Sequence, residues 1–174
     1  MISCSDVFGL IQRITAPLKL KLSDMDVKSR IIELLRSTKR NGIENVISLL
    51  DNSDYFTVGC HSHHKYSGGM AQHALQTLEF AKRRGWNIPD DSLIITALLH
   101  DICDINRFRH VKGHGWRSVE LLTKYCGLAM TQDEWNTIRY HMRSRDDRPV
   151  RTSLELAVYR ADKKSAKKGY GLAA

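Results

Sequence analysis

The sequence predicts an all-α fold, a single-domain bundle of helices. Apolar residues recur at helical spacing through most of the 174-residue chain, and no long segment alternates apolar and polar residues as a half-buried strand does. Proline occurs only at positions 17, 89 and 149, each where a helix is expected to begin or end. We expect a core at residues 53–174 and a helical extension packed on it at residues 1–52, which together form one structural domain.

The first helices are expected at residues 8–14, 26–39 and 43–50, and the second of them turns Ile31, Leu34 and Leu35 inward. Basic residues in the segment 26–52 also allow a helix-turn-helix that contacts phosphates, but a helical cap or a dimer face is the favoured interpretation. The segment 51–69 has no helical period, is rich in histidine and ends in two glycines, so we expect a loop there.

Five more helices are expected after residue 69. One covers residues 70–84 and ends at Gly85, another begins after Pro89, and a third covers residues 115–126 and ends at Gly127. The last two begin at sequences of the capping-box form S/T-x-x-E, formed by the pairs Thr131/Glu134 and Thr152/Glu155.

Charge and cysteine content narrow the class of protein. The formal net charge of +8 creates a positive field that attracts phosphorylated ligands and nucleic acid. The four cysteines have no C-x-x-C spacing, which favours reduced thiols, and neither a signal peptide nor a membrane span is evident. We therefore expect a cytoplasmic protein that does not bind membranes. The sequence leaves open whether it forms a homo-oligomer.

The pair His100-Asp101 lies at the end of an apolar run over residues 93–102. Burying a polar group without a partner costs about 2–7 kcal/mol, and a charge costs more. A divalent metal ion would compensate, since neutral imidazole and carboxylate are both metal ligands. A buried His–Asp hydrogen bond is the alternative, and the pair alone does not decide between them.

Further ligand types lie on the inward faces of other predicted helices. His73 follows the double glycine by one turn, His141 and Asp162 lie on apolar helix faces, and His114 begins a helix between Gly113 and Gly115. A single histidine of this kind is most often a hydrogen-bonded core residue. Several on separate helices indicate convergence on one site, as in metal sites at the core of helical bundles.

In the order of these residues, the chain resembles the HD-domain metal-dependent phosphohydrolase superfamily, whose signature is H…HD…D. The resemblance covers roughly residues 60–166. The matching segments are HHKYSGGMAQH at 63–73, ALLHDI at 97–102, GHG at 113–115, YH at 140–141 and YRADK at 159–163.

The resemblance implies a site for one or two divalent ions, with Mn, Fe, Co, Ni, Zn and Mg not distinguished. The first ion would be held by His73, His100, Asp101 and Asp162. Asp101 would bridge to a second ion held by His114 and His141, so that Asp101, His114 and His141 take part in catalysis. In a mononuclear site, His114 and His141 would instead contact the substrate phosphate.

The chain departs from many members of that superfamily directly after the His100-Asp101 pair. Where they place a lysine, this chain has Asp104, which would oppose phosphate binding unless it is paired, helps to bind metal or acts as an acid or base. Nearby basic residues could replace the missing charge. The candidate substrate-binding residues are His64, Arg107, Arg109, Lys112, Arg117 and Lys163.

The function expected from the resemblance is metal-dependent hydrolysis of phosphoester or phosphoanhydride bonds by a metal-activated water. The basic charge and the similarity to HD domains attached to exoribonucleases favour nucleotides or short nucleic acids over other phosphorylated small molecules. The alternative is a metal-containing nucleotide sensor or nucleic-acid-binding module without hydrolytic activity.

Overall fold

The structure, a computed structural model, describes residues 24–83, 85–105, 113–142 and 149–169. These residues form an all-α fold in which no strand occurs. A 3₁₀ turn at Ile102–Asp104 follows the fourth helix, and a π-helical turn at Leu121–Tyr125 continues the fifth. The helices are α1 (Asp24–Ser37), α2 (Ile43–Asp51), α3 (Gly69–Lys82), α4 (Asp90–Leu99), α5 (His114–Glu120), α6 (Gln132–Arg139) and α7 (Ser153–Gly169).

Helix α4 lies at the centre of the bundle. It packs against α1, α3, α6 and α7, and every residue from Ser92 to Leu99 is buried. A helix that is apolar on all sides is stable only in such a place, which explains the continuous apolar run in its sequence. The His100-Asp101 pair therefore emerges from the middle of the core.

The N-terminal helices pack on this core rather than standing apart. Ile31 and Leu35 on α1 are buried as predicted, while Leu34 is half-buried. Arg40, in the turn between α1 and α2, lies 2.7 Å from Glu134 on α6 and 2.9 Å from Asp91 on α4. The division into residues 1–52 and 53–174 stays a prediction.

Helix ends agree with the sequence at several points. Thr131 and Glu134 form the predicted capping box, and Gly127 has the left-handed φ of +63° expected after a helix. At the start of α7, Thr152 accepts from the backbone N–H of Glu155, whose carboxylate accepts from the N–H of Arg151.

Other helix ends differ from the predictions. The helix expected to run to residue 39 ends at Ser37, because Lys39 turns to a φ of +51°. The helix expected over 115–126 is α-helical only to Glu120 and then widens to the π turn. The helix expected at 8–14 lies outside the described residues. Within the described ranges, no helix combines the length and the apolar character needed to cross a bilayer.

Candidate metal centre

Six predicted ligand residues come together where five segments of the bundle meet. His73 projects from the second turn of α3, His100 ends α4, and Asp101 begins the 3₁₀ turn that follows. Tight packing of α3 against α4 and α7 brings these residues close to Asp162. The other two, His114 and His141, lie at the start of α5 and directly after α6.

His73, His100 and Asp162, which we call the inner triad, are deeply buried. Each offers one ligand atom, and these atoms all lie within 4.8 Å of one another. The Nε2 atom of His73 lies 3.2 Å from Asp162 Oδ1 and 3.3 Å from His100 Nε2. Such a mixed nitrogen and oxygen set suits a first-row divalent metal.

Asp101, His114 and His141, the outer triad, lie beside it; Asp101 and His114 are partly exposed, whereas the side chain of His141 is buried. The Oδ1 atom of Asp101 is 3.0 Å from His141 Nε2 and 3.5 Å from His114 Nε2. The two Nε2 atoms are themselves 3.0 Å apart. The side chains of Asp101 and His114 are 22% and 25% exposed, so this triad can be reached from solvent.

The Asp101 carboxylate joins the two triads. Its Oδ2 atom faces the inner triad, 3.3 Å from His100 Nε2, while Oδ1 faces the outer one. Oδ1 is buried and has no hydrogen-bond partner. An orphaned buried carboxylate oxygen is costly in a folded protein and calls for an explanation, of which an ion is one.

The imidazole rings are fixed by bonds at their far nitrogen. The Nδ1 atoms of His100 and His141 lie 2.9 Å and 2.7 Å from the carbonyl oxygens of Ala97 and Ile138, so each donates a proton there. A neutral ring held in this way presents the lone pair of Nε2 to the site. Metal-binding histidines are characteristically oriented by such outer bonds.

His73 is oriented by a buried polar chain instead of a carbonyl. Its Nδ1 atom lies 3.0 Å from Ser165 Oγ, and this hydroxyl lies 3.3 Å from Gln76 Oε1. The amide oxygen of Gln76 is also 3.2 Å from His64 Nε2. All of these side chains are buried, so the chain of bonds holds His73 with little freedom.

Attraction between histidine and aspartate side chains largely sets the pKa values of His100 and Asp101. Burial disfavours an imidazolium at His100, but Asp101 and Asp162 overcome this and raise its pKa to about 9. Burial likewise opposes ionisation of Asp101, and His100 and His141 nevertheless hold the pKa of that carboxyl well below its usual value. At His114, burial prevails and lowers the pKa.

The substrate-binding candidates are placed less uniformly. Arg117 lies one turn after His114 on α5, and Lys163 directly follows Asp162 on α7, both half-buried. Arg107, Arg109 and Lys112 lie outside the described residues.

His64 was predicted to contact substrate, but its ring is wholly enclosed and lies behind His73, which corrects that prediction. His64 leaves no room for a side chain at two neighbouring glycines. Its backbone has a φ of +44°, and a Cβ at Gly69 would overlap its carbonyl. A Cβ at Gly169 would overlap the ring itself.

Asp104 lies half-buried in the 3₁₀ turn. The thiol of Cys103 lies 3.8 Å from its Oδ1 but donates to the closer carbonyl oxygen of His114, at 3.1 Å, and burial raises the pKa of that thiol to about 12. Sequence reasoning predicted the six residues that the structure brings together, but it did not indicate Ser165, Gln76 or the grouping of His63 and His64 with His73, whose ligand atoms lie within 4.8 Å of one another. Ser165 lies one turn beyond Asp162 on the same helix face, and this spacing could have revealed it.

Comparison with known proteins agrees with the geometry. The family model of the HD domain matches residues 70–167, more than half of the chain, and this range contains all six ligand residues but not His63 or His64. Comparisons with curated proteins and with solved structures gave no significant match. With its all-α fold, its ordered histidines and aspartates, and this match, the chain belongs to the HD domain family.

Proposed function

We propose that this protein is a dinuclear metal-dependent phosphohydrolase, acting on phosphoester or phosphoanhydride bonds of nucleotides or short nucleic acids. The observation that carries the proposal is the Asp101 carboxylate, which directs one oxygen to each triad and leaves the buried Oδ1 atom without a hydrogen bond. A bridging carboxylate has this arrangement when it holds two cations.

The donor set fits divalent ions on both sides of Asp101. The first ion would be held by His73, His100, Asp101 and Asp162, and the second by Asp101, His114 and His141. Divalent ions in such a centre supply Lewis-acid activation of water and offset the negative charge of a phosphate. The side chains themselves contribute orientation, since their outer nitrogens are bonded before any ligand arrives.

The outer triad is the side from which a substrate would enter. Asp101 and His114 are the partly exposed members of the set, and Arg117 lies one turn from His114. Arginine binds phosphate oxygens through two parallel hydrogen bonds, which makes Arg117 the strongest described candidate for holding the substrate. Lys163, next to Asp162, would add a second positive charge.

Metal-dependent turnover tests the proposal. The purified protein should release phosphate or nucleoside monophosphate from a panel of nucleotides, cyclic nucleotides and oligonucleotides, lose that activity on chelation and regain it with added metal. Asp101→Ala should be inactive. Asp90→Ala is the matched control, because Asp90 lies exposed at the other end of α4, where it forms an ion pair with Lys82 at 3.3 Å.

Binding of a nucleotide without any turnover across the panel would reject the hydrolase and support the sensor. Activity that survives chelation would reject the metal mechanism.

A further inference from the structure

Five cations form a stripe along α7. The basic stripe consists of Arg160, Lys163, Lys164, Lys167 and Lys168, at spacings of three and four residues. At about 100° per residue, these positions share one face of the helix, and Arg160 and Lys164 lie nearly opposite Asp162. Apart from Lys163, which adjoins Asp162, the stripe therefore lies on a surface separate from the candidate metal centre.

Among the residues that the structure describes, no carboxylate neutralises the charges of the stripe. Lysines and arginines elsewhere form ion pairs, such as Lys28 with Asp51 and Lys124 with Glu120. Within the part of the chain that the structure describes, none of the five stripe residues has a carboxylate partner.

This arrangement costs folding energy. The stripe contains several like-charged neighbours at i,i+3 and i,i+4, each of which slightly destabilises a helix. The helix dipole favours Lys167 and Lys168 near the C-terminus, but it does not account for Arg160, Lys163 and Lys164 in the middle of the helix. A bound polyanion would relieve the repulsion along the whole stripe.

Two of these lysines lie over one aromatic ring, which lines a cleft. Lys164 lies 4.4 Å from the centroid of the Phe80 ring, and Arg83 and Lys168 lie 5.5 Å and 5.8 Å from it. Beside them is a cleft of about 520 Å³, lined by Phe80, Tyr159 and four members of the stripe. Cations converge here on one concave surface.

The chemistry favours one kind of anion. The nine residues from Arg160 to Lys168 make the stripe about 12 Å long, enough for several successive phosphates of a single strand but more than one phosphate requires. Basic helices that bind membranes also expose large apolar side chains for insertion. Among the described residues, the large exposed hydrophobics are Trp116, Tyr125 and Val150, and none lies on α7.

We propose that the basic stripe and its cleft bind the phosphodiester backbone of single-stranded nucleic acid. The proposal deepens the proposed function, because it makes a polymer rather than a free nucleotide the preferred ligand. Binding itself requires no hydrolysis, so the two proposals can fail separately.

Fluorescence anisotropy with a labelled oligothymidylate, measured at several salt concentrations, tests the proposal. The variant R160Q/K164Q/K167Q/K168Q should weaken binding about tenfold or more, and the slope of log K against log salt should become shallower by about 3. Lys163 is left intact because it adjoins Asp162. The matched control K28Q/R30Q/R36Q/K124Q removes four exposed, ion-paired charges from other helices and should bind nearly as the native protein does.

Two further measurements show whether the stripe substitutions affect folding or catalysis. The stripe variant should melt close to the native temperature, because relief of the repulsive pairs offsets the lost dipole and Phe80 contacts of its lysines. It should hydrolyse p-nitrophenyl phosphate at the native rate if the protein is a hydrolase. Equal weakening in both variants, or native binding by the stripe variant, would overturn the proposal. So would stripe-dependent binding to phosphatidylserine vesicles without binding to the oligonucleotide.

Discussion

The inner and outer triads share one carboxylate but differ in how the protein encloses them. In the inner triad, the side chains of His73 and His100 are each 1% exposed, and His73 is held by the buried chain through Ser165 and Gln76. In the outer triad, Asp101 and His114 are about a quarter exposed. Under the proposed function, the enclosed inner triad would hold an ion firmly and the more open outer triad would meet the substrate.

Alanine substitution in each triad gives the largest expected contrast. His73→Ala should remove the inner ion and also lower the free energy of unfolding by about 1–3 kcal/mol, because it leaves buried polar partners unsatisfied. His114→Ala should lower the metal content from about two ions towards one and change the stability of the metal-free protein little, since the side chain is partly solvated.

Elemental analysis of both variants as purified, and urea unfolding of both variants after chelation, measure this contrast. Equal loss of stability in the two variants would remove the distinction between the triads.

The orientation of His73 gives a second, smaller contrast. Ser165→Ala removes the hydroxyl that accepts from His73 Nδ1 at 3.0 Å. Loss of such an outer contact typically weakens metal binding about 10–100-fold, so the inner ion should be lost at lower chelator concentration than the outer one. Ser153→Ala, at the exposed start of the same helix, is the control. Unchanged affinity of both ions would show that Ser165 is not a positioning residue.

A third expected effect, which needs no substitution, is a pH dependence. With a pKa of about 9, His100 carries a proton in the metal-free protein at neutral pH, and a ligating metal must displace it. Apparent affinity for the inner ion should therefore rise about tenfold per pH unit up to pH 9 and then level off. Isothermal titration in two buffers of different ionisation enthalpy should detect the released proton. Affinity that is independent of pH between 6 and 8 would contradict the pairing of His100 with Asp101.

Much of this fold could be predicted from sequence, because its signals are local. The apolar run of α4 reflects burial on every side, and the capping box at Thr131 and Glu134 is formed by residues three apart. The π turn at 121–125 was missed, since the same apolar spacing suits an α-helix and only packing shows the wider turn.

The candidate site likewise has some features that the sequence predicts and others that depend on contacts in space. Its six ligand residues carry an ordered sequence signature, whereas the supports of His73 depend on distance in space. Ser165 is 92 residues from His73 along the chain, and its role follows only from the contact of α3 with α7. His64 looked like a substrate contact because it is polar and lies in a loop, but the lack of a side chain at Gly69 and Gly169 lets the core enclose it.

The central claim is that Asp101 bridges two metal ions, and metal content measures it most directly. Elemental analysis of the purified protein should give about two divalent ions per chain, and Asp101→Ala should retain almost none while Asp90→Ala keeps both. A native ratio of one, or full metal content in Asp101→Ala, would contradict the bridge.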